Sequence, residues 1–215
     1  LMLNAAQVLE DNAAKYAKVM TDEMGKLLSS SEAEVKKCAW VCRYYADNAE
    51  KFLSQEFINT DASSSYIHYN PLGVILAVMP WNFPFWQVFR FAAPGLMAGN
   101  TAVLKHASNV FGCAIAIEDV FREAGFPEHA FKTLLVKGSQ VEEVINNPLV
   151  KGVTLTGSTQ AGKAVAAASG NALKKTVLEL GGSDPYIILE DADLESAAET
   201  CFTSKMINAG QSCIA

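Results

Sequence analysis

From Leu72 onward, short apolar runs alternate with segments of helical periodicity, and this alternation constrains the fold more than any other feature. The runs predict strands at residues 73–79, 101–105, 132–136, 152–156, 176–180 and 186–189. Helices are predicted at residues 91–98, 111–124, 140–146, 161–169 and 194–209. Continuous apolar strands separated by helices favour an α/β fold, in which helices cover both faces of a parallel sheet.

The first 71 residues carry two other patterns. Apolar residues recur at helical spacing up to Leu27 and again from Val35 onward, which predicts a helical hairpin over residues 1–52. Ser31 followed by Glu34 resembles a capping box at the start of the second helix. Residues 53–71 alternate apolar and polar side chains around a turn-like stretch, so we expect a two-stranded β arm there.

Composition excludes several classes of protein. The net charge is −6, and no basic stripe of the kind that binds duplex nucleic acid is visible. The longest apolar runs are too short to span a bilayer, and no secretory leader opens the chain. The five cysteines fit no zinc motif, so we expect free thiols in a reducing cytoplasm and no metal.

The polar residues of interest follow the predicted strands, where ligands of parallel sheets bind. Asn82 lies between Pro80 and Pro84, whose rings stiffen the turn and hold its amide in one direction. An amide aimed at a developing oxyanion is worth about 3 kcal/mol, although a turn Asn can simply bond its own backbone. Lys105 ends the second strand and could hold ribose hydroxyls or a phosphate, or it could be an ordinary solvated lysine.

Two further strand ends carry candidate residues. Gly157 and Ser158 lead from the fourth strand into a helix, where glycine lets the backbone approach a ligand and free N–H groups meet a phosphate. A plain strand-to-helix turn would use similar residues. Glu179 closes the fifth strand before two glycines, and a partly desolvated carboxylate there can act as a base near neutral pH. The alternative is a glutamate turned to solvent at the sheet edge.

Cys213 follows Gly210-Gln-Ser near the end of the sequence. A thiolate is the strongest nucleophile among side chains, and it is useful when its pKa is lowered. The simpler interpretation is a small buried hydrophobic residue, which suffices for the other four cysteines.

The order of these segments along the chain is more specific than any one of them. They are Pro-Trp-Asn-Phe-Pro at 80–84, Lys-His-Ala-Ser at 105–108, Thr-Gly-Ser-Thr at 156–159, Leu-Glu-Leu-Gly-Gly at 178–182 and Gly-Gln-Ser-Cys at 210–213. On these segments the chain resembles the aldehyde dehydrogenase superfamily over its whole length, and most of all the succinate-semialdehyde dehydrogenase branch. The resemblance implies a Rossmann-like NAD(P)-binding domain at residues 72–215. It also implies that the C-terminal catalytic domain of the family lies outside these residues, so we expect a piece of a longer enzyme.

The resemblance implies a role for each matching residue. Cys213 attacks the aldehyde, Asn82 and the Cys213 backbone N–H hold the oxyanion, and the carbon passes a hydride to the nicotinamide. Glu179 then activates water, which releases the carboxylic acid. The residues expected to bind NAD or NADP are Trp81, Lys105, Ser108, Gly157, Ser158 and Leu180.

Three details refine this expectation. Many NAD-preferring relatives carry a Glu where Ser108 stands, and it would repel a 2′-phosphate, so we expect NADP to be accepted. His106 replaces the proline that is commoner in the family, which is expected to loosen that turn. Arg90 lies eight residues after Asn82, at the place where succinate-type enzymes carry an Arg that can grip a distal carboxylate. The alternative for Arg90 is a surface arginine.

Other functions remain open at this point. An acylating dehydrogenase would pass the thioester to coenzyme A, but such members usually lack the base that Glu179 supplies. A silent nucleotide-binding protein of the same fold is the other alternative, and intact Asn82, Glu179 and Cys213 argue against it. The arm implies a homo-oligomer for the full-length enzyme, and the 215 residues alone are expected to be inactive.

Overall fold

The computed structural model describes residues 1–214 and begins with three helices that pack on one another. They are α1 (Met2–Asp11), α2 (Ala13–Met24) and α3 (Leu28–Phe52). The predicted hairpin is therefore present, with its first arm broken at Asn12. Gly25 ends α2 in the left-handed region at φ 83°, where a glycine is favoured.

The predicted capping box is wrong. Ser31 and Glu34 lie inside α3, which already begins at Leu28. The Ser31 hydroxyl is 2.9 Å from the Thr21 hydroxyl on α2. The Glu34 carboxylate instead accepts hydrogen bonds from the backbone N–H groups of Phe85 and Trp86. Glu34 therefore stabilises the contact between two helices and does not cap the start of its own.

The arm predicted at residues 53–71 is present. It consists of β1 (Glu56–Phe57) and β2 (Tyr66–Ile67), which pair antiparallel with Glu56 opposite Ile67. All four residues are exposed, and the rings of Phe57 and Tyr66 lie 5.9 Å apart.

Five parallel strands form the central sheet, as the alternating pattern predicts. They are β3 (Val74–Met79), β4 (Thr101–His106), β5 (Phe131–Thr133), β6 (Val150–Gly157) and β7 (Lys175–Leu180). Their spatial order is β5-β4-β3-β6-β7, so the chain moves outward on one side of β3 and then on the other. The carboxyl ends of β3 and β6 flank this reversal, which is where ligands of such sheets bind.

The helices that connect the strands cover both faces of the sheet. They are α4 (Trp86–Met97), α5 (Phe111–Glu123), α6 (Val141–Asn146) and α7 (Thr159–Asn171), and α8 (Leu194–Lys205) follows the last strand. Ala77 and Met79 of β3 join the larger core with α1 to α5, whereas Leu76 faces the smaller core under α6 and α7. Because side chains alternate along a strand, β3 is buried on both faces.

Two carboxylates from the N-terminal helices join those helices to the sheet domain. Glu23 accepts hydrogen bonds from the backbone N–H groups of Gly112 and Cys113, at 2.7 and 2.8 Å, where α5 starts. Glu34 accepts from the N–H groups at 85 and 86, both at 2.8 Å, where α4 starts. A negative charge is favourable at a helix N-terminus, so these contacts set the position of both helices.

The strand predicted at residues 186–189 is not formed. These residues have no regular structure, and Ile187 is 78% exposed. Only five residues separate this run from β7, whereas a parallel neighbour needs a crossover of about a dozen. The apolar composition predicted a strand, and the short connection prevented parallel pairing with β7.

Smaller differences concern the ends of elements. The third sheet strand is β5 at Phe131–Thr133 and not 132–136, because its pairing with β4 ends at Thr133. The last predicted helix ends at Lys205 and is followed by a 3-10 turn at Ile207–Gly210. Within residues 1–214, no helix has the length and apolar composition that crossing a membrane requires.

Candidate active site

A cleft of about 380 Å³ opens at the carboxyl ends of β3, β6 and β7. It brings together most of the residues singled out in the sequence, which come from four separate segments. They are Trp81, Asn82, Gly157, Ser158, Glu179, Leu180 and Cys213. Arg90 lies in the wall of an adjoining cavity of about 390 Å³ that Cys213 also lines. Lys105 lines a third cavity, and Ser108 is exposed at the start of a 3-10 turn.

The segment before Cys213 is bent back by three successive left-handed residues. Asn208 and Ala209 both have φ 55°, and Gly210 has φ 76°. Such a conformation costs a non-glycine residue roughly 1–2 kcal/mol. Asn tolerates it best after glycine, which is the local signal that could have pointed to Asn208 in the sequence.

Hydrogen bonds attach this strained turn to the loop after β3. Asn208 Nδ2 donates to the Asn82 carbonyl at 2.7 Å and to the Gln211 carbonyl at 3.1 Å. Asn82 Nδ2 donates to the same Gln211 carbonyl at 2.9 Å. Contacts across more than 120 residues of sequence therefore hold Cys213 beside Asn82.

The Asn82 amide still has a donor for chemistry. Its nitrogen carries two hydrogens, and the bond to Gln211 uses one of them. Its carbonyl oxygen Oδ1 is buried and has no hydrogen-bond partner among residues 1–214. The second N–H therefore belongs to a residue that lines the Cys213 cleft.

Arg90 reaches from α4 to the ends of β6 and β7. Its Nη2 donates to Thr156 Oγ1 at 3.1 Å, and its Nη1 lies 3.9 Å from Glu179 Oε2. Thr156 and Glu179 are neighbours in the register of the two strands. The Glu179 side chain is 53% exposed, so this ion pair is weak and can be exchanged for other partners.

The first turn of α7 separates two cavities. Ser158 is the N-cap of this helix, and its hydroxyl accepts a hydrogen bond from Ala161 N at 3.2 Å. Ser158 lines the Cys213 cleft, whereas Ala161 lines a cavity of about 270 Å³ together with Lys105. Burial lowers the pKa of the Lys105 ammonium. A helix N-terminus between two cavities fits a two-lobed ligand with phosphates at its centre, such as a dinucleotide.

Leu180 closes the space between α7 and β7. A Cβ placed on Gly162 would lie 2.5 Å from Leu180 Cδ2, so the two elements approach closely because residue 162 is glycine. Leu180 therefore forms the floor of the cleft beside Gly157 and Gly181.

The expectation that His106 loosens its turn is wrong. The imidazole is fully buried, and its Nε2 lies 2.8 Å from the Pro84 carbonyl. Its Nδ1 accepts a hydrogen bond from Ala107 N at 3.0 Å. The ring therefore ties the end of β4 to the loop that carries Asn82, which a proline could not do because it has no polar side chain.

The sequence did not identify several residues in the wall of the 390 Å³ cavity. Gln87 contributes from α4 beside Arg90, which the sequence did identify, and a buried Lys26–Glu34 ion pair contributes from the N-terminal helices. Lys37 also lines it, with its Nζ 3.9 Å from the centre of the Trp86 ring. Three cations and one carboxylate give this cavity a net positive charge. Glu34 and Lys37 are three residues apart on α3, and this helical spacing was the signal in the sequence that they share a face.

The five cysteines are all free thiols, and they differ in their surroundings. Cys38, Cys42 and Cys113 are buried in the core, and burial raises the pKa of Cys42 to about 12. Burial also raises the pKa of Cys38 and of Cys113. Cys213 is half-buried and lines the cleft. Among residues 1–214, no cluster of three or more His, Cys, Asp or Glu side chains could hold a metal ion.

Comparison with known proteins gives matches over the whole chain. The family model described as the aldehyde dehydrogenase family matches residues 1–215. A probable NADP(+) succinate-semialdehyde dehydrogenase of a Synechocystis species is 59% identical over 211 residues, which is 98% of this chain and 46% of that protein. A Mycobacterium avium succinate-semialdehyde dehydrogenase [NADP(+)] is 54% identical over 213 residues, which cover 98% of this chain and 45% of that protein.

Solved structures agree with this result. The crystal structure of succinic semialdehyde dehydrogenase from Streptococcus pyogenes, in complex with NADP+, has a TM-score of 0.95 at 42% identity. The match covers 99% of this chain and 47% of that one. The chain thus spans somewhat less than half the length of the relatives that it matches.

Proposed function

The chain belongs to the aldehyde dehydrogenase family, and on this premise we propose that it is the cofactor-binding and nucleophile-bearing part of an NADP-dependent succinate-semialdehyde dehydrogenase. The observation that carries the proposal is the meeting of Cys213, Asn82 and Glu179 in one cleft beside a cavity that holds Arg90. The names of the relatives from Synechocystis and Streptococcus pyogenes support both the substrate and the cofactor.

The proposed reaction begins at the Cys213 thiolate, which attacks the aldehyde carbon and forms a C–S bond. The carbonyl electron pair moves to oxygen, and this oxyanion accepts hydrogen bonds from the Asn82 amide and the Cys213 backbone N–H. A nicotinamide cofactor held beside Trp81 and Leu180 would supply the redox chemistry that side chains lack, as the acceptor of a hydride from the substrate carbon, and a thioester would remain on Cys213. The Cys213 turn and the Asn82 loop are joined by hydrogen bonds, so nucleophile and oxyanion donor keep a constant spacing.

Glu179 completes the proposed cycle by hydrolysis. It takes a proton from a water molecule, whose oxygen attacks the thioester carbon on Cys213. The C–S bond breaks, the thiolate leaves and the carboxylic acid is released. Arg90 Nη1 lies 3.9 Å from Glu179 Oε2, so the two side chains meet beside the cleft.

The residues around α7 would hold the cofactor. Ser158 and the first N–H groups of the helix suit the pyrophosphate, with Gly157 allowing close approach. Lys105 and Ser108 would contact the adenosine ribose, while Trp81 and Leu180 would line the nicotinamide side. Ser108 carries no charge that would oppose a 2′-phosphate, which supports use of NADP as well as NAD.

The positive cavity supports a substrate with a distal carboxylate. Arg90 presents a planar fork of N–H donors: Nη2 donates to Thr156, and Nη1 lies 3.9 Å from Glu179 in a weak pair that a substrate carboxylate can replace.

We propose further that the exposed arm of β1 and β2 serves oligomer formation in the full-length enzyme, because Phe57 and Tyr66 expose apolar surface there.

The test uses the polypeptide at the full length of its relatives, with succinate semialdehyde, neutral butanal and both cofactors. Arg90→Ala is expected to raise the KM for succinate semialdehyde roughly ten- to hundredfold, because a charge-assisted hydrogen bond is lost. The KM for butanal should change little.

Arg122→Ala is the matched control, since Arg122 is an exposed arginine on α5 that pairs with Asp119. It should alter neither KM. An equal effect of Arg90→Ala on both aldehydes would rule out the carboxylate-binding role, and absence of turnover with NADP would rule out the proposed cofactor.

A further inference from the structure

Gln87 is a buried polar side chain in the wall of the 390 Å³ cavity. Only 3% of its surface is exposed, and its side-chain carbonyl has no hydrogen-bond partner among residues 1–214. Burying an unpaired carbonyl disfavours folding, and no hydrogen bond fixes the direction of this oxygen, so the amide can turn when a ligand arrives.

The position of Gln87 on α4 directs it to the same space as Arg90. The two residues are three apart, which places them on one face of the helix. They line the 390 Å³ cavity together with Cys213, and both also line a neighbouring cavity of about 540 Å³. Gln87 therefore stands between the residue proposed to bind the carboxylate and the start of its helix.

The start of α4 is held rigidly. Glu34 accepts hydrogen bonds from the backbone N–H groups of Phe85 and Trp86, and Lys26 pairs with the same carboxylate. The Gln87 N–H donates to the Phe83 carbonyl at 3.1 Å. Little freedom of the backbone remains at residue 87, so the amide can change its direction only by rotation about its side-chain bonds.

The charges around the cavity indicate which end of the amide a ligand meets. Lys26, Lys37 and Arg90 outweigh Glu34, so an anionic group is favoured there. An amide can present either its carbonyl or its NH2 by a half turn about its last side-chain bond. An anion on Arg90 would repel the carbonyl and attract the NH2.

We propose that Gln87 is a specificity-determining residue that donates a hydrogen bond from Nε2 to the distal carboxylate of the aldehyde substrate, beside the Arg90 guanidinium. The proposal rests on the function proposed above and adds a second donor to it. An aldehyde with a distal carboxylate gains this bond, and an aldehyde of equal length without the carboxylate does not.

Three variants of the full-length enzyme test the proposal, each measured as the ratio of kcat/KM for succinate semialdehyde to kcat/KM for butanal. Gln87→Met keeps the volume and removes the polar group, and it should lower this ratio roughly tenfold or more. Gln87→Glu keeps the shape but replaces the donor by an anion, and it should lower the ratio further. Gln87→Leu is a second apolar variant in case the Met variant does not fold.

Each result decides between the proposals because butanal turnover reports the folded enzyme in the same sample. A ratio unchanged in the apolar variants, or retained in Gln87→Glu, would overturn the role of Gln87. Arg90→Ala is measured in parallel. If Arg90→Ala lowers the ratio while the Gln87 variants do not, the role of Gln87 is wrong and the proposed substrate class stands. If Arg90→Ala also leaves the ratio unchanged, the proposed substrate class is wrong as well.

Discussion

Among single residues, His106 shows how a buried polar side chain can organise a site without touching the reacting atoms. Nε2 lies 2.8 Å from the Pro84 carbonyl, while Nδ1 lies 3.2 Å from the Met79 carbonyl and accepts from Ala107 N at 3.0 Å. A neutral ring carries a hydrogen on one nitrogen only, so the Nε2–H tautomer donates to Pro84 and keeps Nδ1 as the acceptor for Ala107 N. Burial lowers the pKa of His106, chiefly by desolvation of the charged form.

This depressed pKa predicts a pH dependence of stability. The unfolded chain binds a proton on His106 near pH 6.5, whereas the folded protein binds it only at lower pH. The contribution of the neutral His106 side chain to the free energy of unfolding is therefore fully present above about pH 6.5, and it is lost as the pH falls toward the pKa of His106 in the folded protein. Urea unfolding of wild type and His106→Gln between about pH 7 and about pH 5 measures it.

The variant should lose less stability than wild type over this range, although it is less stable at neutral pH. His129→Gln is the control, because the His129 side chain is 69% exposed and lies 3.4 Å from the neighbouring Glu128. Identical pH slopes for His106→Gln and wild type would contradict the role given to the imidazole.

Ser108 carries the prediction about cofactor choice. Ser108→Glu places a carboxylate where the 2′-phosphate of NADP is proposed to bind, and the two charges repel. We expect kcat/KM for NADP to fall by roughly tenfold or more while that for NAD changes less. Ser108→Asn, which is polar but neutral, should keep the wild-type preference. A Glu variant with unchanged preference would place the phosphate elsewhere.

At the scale of elements, the contact of α7 with β7 links the packing of the domain to the shape of the cleft. Gly162 lies under Leu180, and Leu180 lines the cleft. Gly170 is on the same helix, and an added Cβ there would meet nothing within 4 Å. Within one helix, a side chain at residue 162 would therefore collide with Leu180, whereas a side chain at residue 170 would have space.

Gly162→Ala is expected to change stability little, because the atom that an added Cβ meets is the flexible end of the Leu180 side chain. The Leu180 side chain can relieve the clash only by moving, so we also expect weaker cofactor binding. Gly170→Ala should instead stabilise by up to about 1 kcal/mol, since alanine favours helix. Thermal unfolding and cofactor titration check both, and two variants that behave alike would contradict the packing described for Leu180.

At the scale of the whole molecule, exposed apolar surface is concentrated after β7. Ile187, Leu194 and Phe202 are each about two-thirds exposed or more, and α8 has no buried residue. Apolar surface of this extent marks a region that other protein surface covers. The match to the Synechocystis relative covers 98% of this chain and 46% of that protein.

We therefore expect the 215-residue chain by itself to show no steady-state oxidation of succinate semialdehyde. The reason is that a water-exposed Cys213 cleft lacks the low-polarity surroundings that strengthen an oxyanion hole. Reduction of NADP by the purified chain is the measurement, with the full-length enzyme as the control under the same conditions. Sustained turnover by the short chain would contradict the expectation.

The sequence by itself determined the architecture and the membership of the cleft. Apolar runs alternating with helices imply a parallel sheet, and the carboxyl ends of parallel strands lie along one edge. Asn82, Gly157 and Glu179 each follow a predicted strand, so their convergence followed from topology alone.

Only the tertiary structure decided how these residues are held and what surrounds them. Three features depend on segments far apart in sequence. They are the left-handed turn at Asn208, the hydrogen bonds from Glu34 to the start of α4 and the burial of Gln87. The absence of the strand predicted at residues 186–189 has the same cause. Its apolar composition is typical of a strand, but the five residues that separate it from β7 are too few for a parallel crossover. Periodicity and propensity act over a few residues, whereas the partner of a buried polar group depends on how whole helices dock.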